Sequence, residues 1–183
     1  ENKKVSDYKG SPRENGVCTE LVKQLKPYFI DCEIKEYSTF NLSPLQCSDC
    51  KYCEYDSGCY HHDLDIFFED FEAADYIAFV TPVYNNFFPA PLKAVIDRFQ
   101  CYYSARFKRG ANPPIKKFKR VGTVIVSGSN ARAASDYMTN TLKQSFAVLN
   151  GEVTARYLIP NTDIGKYTFN HIELQKFIHQ LRG

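Results

Sequence analysis

Two short, almost unbroken apolar runs, Tyr76 to Thr81 and Val121 to Val126, restrict what this chain can fold into. A half-buried strand alternates apolar and polar residues. A run without alternation reads as a strand covered on both faces, the signature of a parallel sheet. Around these two, Val5 to Tyr8 reads as a first strand, Glu33 to Tyr37 as a short second and Val153 to Ile159 as a last. Helical spacing predicts helices over Val17 to Leu25, Leu64 to Glu72, Ala131 to Leu149 and Ile172 to Leu181. A further helix starts at Pro91 and runs to Phe99, with Leu92, Val95 and Ile96 inward. Strands alternating with helices imply an α/β chain, a parallel sheet with helices on both faces. The order 2-1-3-4-5 is one common solution, and its ligands sit beyond the carboxyl ends of the strands. The first strand fits least well, because Ser6 and Asp7 interrupt what should be an apolar central strand.

A chain of 183 residues suits one domain, 1–183, large enough to hold its fold without covalent staples. Hydrophobic residues make up 44% and charged residues 24%, an ordinary globular balance. No apolar run is long enough to span a bilayer, and no signal-peptide pattern opens the sequence. The expectation is a cytoplasmic protein with neither membrane nor nucleic-acid partner, since a net charge of +2 argues for no anionic partner. The charge is unevenly placed. Arg106 to Arg120 carries seven cations and no acid, and Glu54 to Asp75 carries eight acids and no Lys or Arg. These are either two solvated surfaces or a pair of docking patches for charged partners or neighbouring subunits.

Seven cysteines are present, and Cys18, Cys32 and Cys101 stand alone. Cys47, Cys50, Cys53 and Cys59 fall within thirteen residues, in C-x2-C-x2-C-x5-C spacing, inside a long irregular stretch from Thr39 to His62. Long loops in compact domains are usually functional. Closely spaced thiolates suit a metal: an iron-sulfur cubane takes one Cys per iron, whereas structural zinc more often pairs two separated C-x2-C knuckles. Cluster, zinc and metal-free thiols all stay open on spacing alone.

Two loops at the ligand-binding edge complete the candidates. Gly10-Ser11-Pro12-Arg13-Glu14-Asn15-Gly16 joins a strand to a helix, where backbone N–H groups and the helix dipole favour an anion. No Lys follows Gly16, so a nucleoside triphosphate loop is disfavoured and a monophosphate fits better. After the third strand, Pro82-Val83-Tyr84-Asn85-Asn86-Phe87 combines aromatic rings with exposed amides, which suits the edge and face of a flat heterocycle. An ordinary Pro/Gly turn and simple aromatic packing are the competing readings.

Together, Gly10-Ser11-Pro12-Arg13 with Asn15-Gly16, Thr81-Pro82-Val83-Tyr84, Leu92-Lys93 and Asp97-Arg98-Phe99 resemble the NAD(P)H-dependent FMN reductase family. The resemblance implies a flavodoxin-like fold: a doubly wound five-stranded parallel sheet, order 2-1-3-4-5, with a cysteine-rich loop after strand 2. It also implies FMN, with Ser11, Arg13, Asn15, Val17 and Cys18 around its phosphate. Pro82, Val83, Tyr84, Asn85 and Asn86 would line the flavin ring, approached from the other side by Ser127, Gly128 and Ser129. Val17-Cys18 departs from the family pattern, which has Thr or Ser there, often after Asn; a thiol is a poorer phosphate donor than a hydroxyl. The cysteine run resembles the compact motif of the iron-sulfur flavoproteins, a branch of the family that binds a 4Fe-4S cluster beside FMN.

The expected function is an FMN-dependent oxidoreductase or electron carrier that passes electrons between FMN and a 4Fe-4S cluster held by Cys47, Cys50, Cys53 and Cys59. NAD(P)H or a redox protein such as ferredoxin would supply electrons, and the resemblance implies a homodimer or homotetramer. One alternative is an NAD(P)H-dependent FMN or quinone reductase without a cluster. A non-enzymatic metal- or redox-sensing module is another.

Overall fold

Strands β1 (Lys3–Lys9), β2 (Cys32–Ser38), β3 (Tyr76–Pro82), β4 (Lys119–Val126) and β5 (Gly151–Ile159) pair in parallel, in the order β2-β1-β3-β4-β5. This computed structural model describes residues 3–164 and 167–183. The doubly wound arrangement expected from the apolar runs is the one observed.

Helices cover both faces. On one side α1 (Val17–Leu25) and α8 (His171–Arg182) pack Leu21, Leu25, Phe177 and Leu181 against Val5, Val80 and Val124. On the other, α4 (Asp65–Ala73), α5 (Ala90–Arg98), α6 (Gln100–Phe107) and α7 (Arg132–Leu149) cover Tyr8, Ile77, Phe79, Val121 and Ile125. Short helices α2 (Thr39–Leu42) and α3 (Tyr52–Tyr55) interrupt the cysteine-bearing stretch. A Cβ on Gly122 would lie 2.5 Å from the Phe177 ring, so glycine in β4 is what lets α8 sit directly on the sheet. The second face is strongly aromatic: Phe71 stacks on Phe99 at 5.1 Å and lies 5.9 Å from Phe146, tying α4 to α7 and to the α5–α6 junction.

Strand β1 forms despite Ser6 and Asp7, and both are buried. Asp7 lies beside Glu36 of β2 and Ala78 of β3. Burial, reinforced by Glu36 and only partly offset by Lys26, pushes its carboxyl up to about 7. A protonated carboxyl is far cheaper to bury than a carboxylate, and this is how a central strand tolerates it.

The charged segments meet within one chain. Lys117 Nζ donates to Ala73 O at 2.9 Å and pairs with Asp75 at 3.1 Å. Lys119 is fully buried and donates from Nζ to the carbonyls of Glu72 and Ala74, at the end of α4. Arg109 donates to the carbonyls of Cys53 and Asp56. Within the chain, these cations of the basic segment satisfy the orphan carbonyls that end α4 and shape the cysteine loop.

Candidate functional site

The first cavity opens at the carboxyl edge of the sheet, as doubly wound topology requires. It is about 630 Å³ and is lined by residues of three loops, among them Ser11, Arg13, Val17, Cys18, Pro82, Val83, Tyr84 and Gly128. The β1–α1 loop approaches closely because Gly10 has no side chain: a Cβ there would lie 2.6 Å from Thr81 Oγ1. Arg13 N donates to Ser11 Oγ at 3.3 Å, and α1 begins at Val17 without a side-chain cap, so its first-turn N–H groups remain available. Burial pushes the Cys18 thiol up to about 12, which keeps it a neutral S–H beside any anion held there. The neighbouring Thr19 hydroxyl is turned away: it donates to Arg13 O at 2.9 Å, accepts from Lys9 Nζ at 3.2 Å and lines a separate cavity.

The opposite wall is a tight hairpin. Tyr84 and Phe87 exchange two backbone hydrogen bonds of 2.9 Å, with Asn85 (φ 47°) and Asn86 (φ 64°) both in the left-handed region. Asn accepts that region more readily than most residues, as a type I′ turn demands. Val83 N donates to Val126 O at 2.9 Å, fixing Pro82, Val83 and Tyr84 along the cavity. Asn15, Asn85, Asn86, Ser127 and Ser129 are not among its lining residues.

Sequence reasoning missed Thr162 and Asp163, which also line this cavity. The chain after β5 folds back on the β4–α7 loop: Thr162 N and Oγ1 both donate to Ser127 O, and Asp163 N donates to Gly128 O at 3.3 Å. The available signal was positional, since both follow the end of a parallel strand.

The second cavity gathers the cysteines. Cys47, Cys50, Cys53 and Cys59 all line one narrow space, together with Arg98, Gln100, Cys101 and Ser104 of the α5–α6 region. Among the described residues, no three His, Cys, Asp or Glu side chains are grouped tightly enough for a single metal ion. Asp49 (φ 53°) and Lys51 (φ 64°) are left-handed on either side of Cys50, folding the loop sharply there; such backbone outliers concentrate at functional sites. Cys53 Sγ donates to Ser104 Oγ at 3.4 Å. Cys101, set apart from the run in the sequence, enters this cavity from α6, and burial, then the neighbouring Cys59 and Cys53 thiols, push it up to about 12.

The family model for NADPH-dependent FMN reductases matches residues 8–162. The chain belongs to that family. Membership makes it an oxidoreductase of an FMN-dependent family rather than a non-enzymatic binding module. It is 25% identical over 150 residues to an iron-sulfur flavoprotein of Methanocaldococcus jannaschii, covering 79% of this chain and 71% of that protein. It is 30% identical over 103 residues to an iron-sulfur flavoprotein of Methanosarcina thermophila, about half of each chain, at 52% and 51%. Its fold is similar to that of an NAD(P)H:quinone oxidoreductase from Methanothermobacter marburgensis, with a TM-score of 0.75 and 14% identity over 100% of this chain and 96% of that one. An NADH:FMN oxidoreductase in its apo form has a TM-score of 0.66 and 16% identity, over 98% and 88% of the two chains. Among the described residues, no helix is long and apolar enough to cross a membrane.

Proposed function

We propose that this member of the FMN reductase family holds FMN in the first cavity and a 4Fe-4S cluster in the second, and passes electrons between them. The observation that carries the reading is the convergence of Cys47, Cys50, Cys53 and Cys59 on one cavity of a flavoprotein fold. FMN exchanges electrons in pairs or singly when bound, and a cluster exchanges them one at a time.

The residues present fit both groups. Ser11, Arg13 and the uncapped start of α1 offer a hydroxyl, a cation and free N–H groups to a phosphate. Pro82, Val83 and Tyr84 line the same cavity and would flank the ring, and Tyr84 is exposed enough to cover its face. A cluster needs one thiolate per iron around a shared volume rather than around a single ion, and the reading is supported by Cys47, Cys50, Cys53 and Cys59 all lining the second cavity. Cys47 and Cys50 are exposed, so the cavity reaches the surface where a redox partner or a second subunit can approach. NAD(P)H or a ferredoxin-like protein is the proposed donor, and a homodimer or homotetramer the proposed assembly.

A quinone or FMN reductase without a cluster is the second reading, favoured by the thiols' failure to group around one ion-sized point. Anaerobic purification with iron, acid-labile sulfide and flavin analysis decides between them. Four irons and four sulfides per chain, lost on changing any one of Cys47, Cys50, Cys53 or Cys59 to Ser but retained in C18S and C32S, is the expected pattern. A wild-type chain with FMN and one zinc, or with FMN alone, overturns it.

A further inference from the structure

Arg98 ends α5 and is 1% exposed, the largest fully buried side chain among the described residues. Its Nη1 donates to Leu45 O at 3.1 Å and to Asp63 Oδ1 at 2.9 Å, and its Nη2 donates to His61 O at 2.7 Å. All three acceptors lie in the segment that carries the cysteines, on either side of the motif. Asp63 also accepts from Leu45 N at 2.8 Å, so one ion pair closes the base of the loop. Yet the pairing is incomplete: among the described residues, Arg98 Nε is buried without a hydrogen-bond partner. Arg98 lines the cysteine cavity, and Cys59 is the neighbour that, after Asp63, acts most strongly on its charge.

A buried guanidinium with an idle donor is costly to keep, because a desolvated N–H group loses water without gaining a protein acceptor. The cost is understandable if the missing acceptor is anionic sulfur in the same cavity. We propose that Arg98 is a positioning residue for the cluster, its Nε–H donating to the Cys59 sulfur and its charge favouring the reduced state. The inference rests on the cluster reading above. One electron delivered to the site, from reduced flavin in function or from dithionite in the test, makes it one unit more negative. A fixed cation beside it stabilises that added charge and raises the reduction potential, more strongly because the guanidinium is desolvated. Asp63 acts in the opposite sense as the counter-anion of the same arginine. Burial alone would raise its carboxyl, but the Leu45 amide and Arg98 outweigh that and hold it below the ordinary carboxylate value.

A purely structural pin makes a different prediction from a tuning charge, and the two partners separate them. Arg98→Lys keeps a cation but loses the Nε donor and the planar fork, whereas Asp63→Asn keeps an acceptor for the Leu45 amide and removes the negative charge. Dithionite redox titration of the loaded protein, followed by electron paramagnetic resonance, should show R98K with a lower potential. At the wild-type midpoint its reduced-to-oxidised ratio should fall about tenfold, the equivalent of about 59 mV for one electron. D63N should move in the opposite direction. Iron should also leave R98K faster than wild type when a chelator is added. Unmoved potentials, or shifts of the same sign in both variants, overturn the role even if both variants are less stable. Should R98K assemble no cluster, D63N decides alone: an upward shift supports the inference and an unchanged potential overturns it. A wild-type chain without iron and sulfide overturns the cluster reading itself, and the inference with it.

Discussion

The Asp163 carboxylate occupies the space that a side chain on Gly128 would need: a Cβ there would come within 2.1 Å of Asp163 Oδ2. Both residues line the first cavity, and the Asp163 amide is bonded to the Gly128 carbonyl. With FMN in this cavity as proposed, Gly128→Ala should displace the carboxylate and weaken FMN binding about tenfold, roughly 1.4 kcal/mol. Fluorescence titration of the apoprotein measures this. Adding Asp163→Ala to G128A should restore most of the affinity; a double variant as weak as G128A would mean that the carboxylate is not what moves.

Tyr84 offers a second handle on the same cavity. Its backbone is fixed by the two hydrogen bonds to Phe87, while its ring is 43% exposed. Tyr84→Ala should leave the hairpin folded and remove the covering ring, weakening FMN binding or shifting its absorption bands. An unchanged affinity and spectrum would place the flavin ring elsewhere.

Asp7 should leave its mark on stability as a function of pH. Its folded carboxyl, pushed up to about 7, keeps a proton that the unfolded chain releases near 3.8. Between about pH 4 and pH 7 the folded state thus holds more protons, and stability falls as pH rises; above about 7 both states are ionised. Asp7→Asn abolishes this contribution. The stability difference between D7N and wild type, from urea melts, should grow across that window and plateau near neutrality at a few kcal/mol, at most about 4. A constant difference from pH 4 to pH 8 would show that the carboxyl titrates normally.

Lys119 is a cation whose removal should hurt despite the cost of burying it. Burial, reinforced by Lys117, pulls its amine down to about 8, but its hydrogen bonds satisfy two carbonyls at the end of α4. Lys119→Met leaves those acceptors unpaired and should destabilise the fold by about 2–4 kcal/mol in urea unfolding at pH 7. Lys117→Met, at a half-exposed pair, should cost less than about 1 kcal/mol. Equal effects would sink this account of how the two segments join.

The sheet was legible because buried parallel strands advertise themselves: Tyr76 to Thr81 and Val121 to Val126 are apolar almost throughout, and right-handed crossovers leave few orders to consider. Ser6 and Asp7 obscured β1, since nothing in a sequence shows that a carboxyl will be held protonated. The cysteine motif was legible from spacing alone. The partners it meets were not: Arg98 and Cys101 arrive from α5 and α6, and α6 itself was not foreseen because it follows α5 after only Phe99. Likewise Asp163 reaches Gly128 only through the fold-back after β5. Charge segregation was visible, but whether opposite charges meet within a chain or between chains depends on the path of the backbone.

Helix α5 behaves as a ruler between the two cavities. It begins just after the hairpin that carries Tyr84 and ends at Arg98, so about 12 Å of rise separates its first residue from its last. Its length is restricted to discrete values. One inserted residue would rotate everything beyond it by about 100° and carry Arg98 out of the cysteine cavity, whereas a whole added turn would preserve the direction and change only the spacing. Variation in length between these two sites is therefore expected in units of three or four residues, with single insertions disconnecting one cavity from the other while leaving each locally intact.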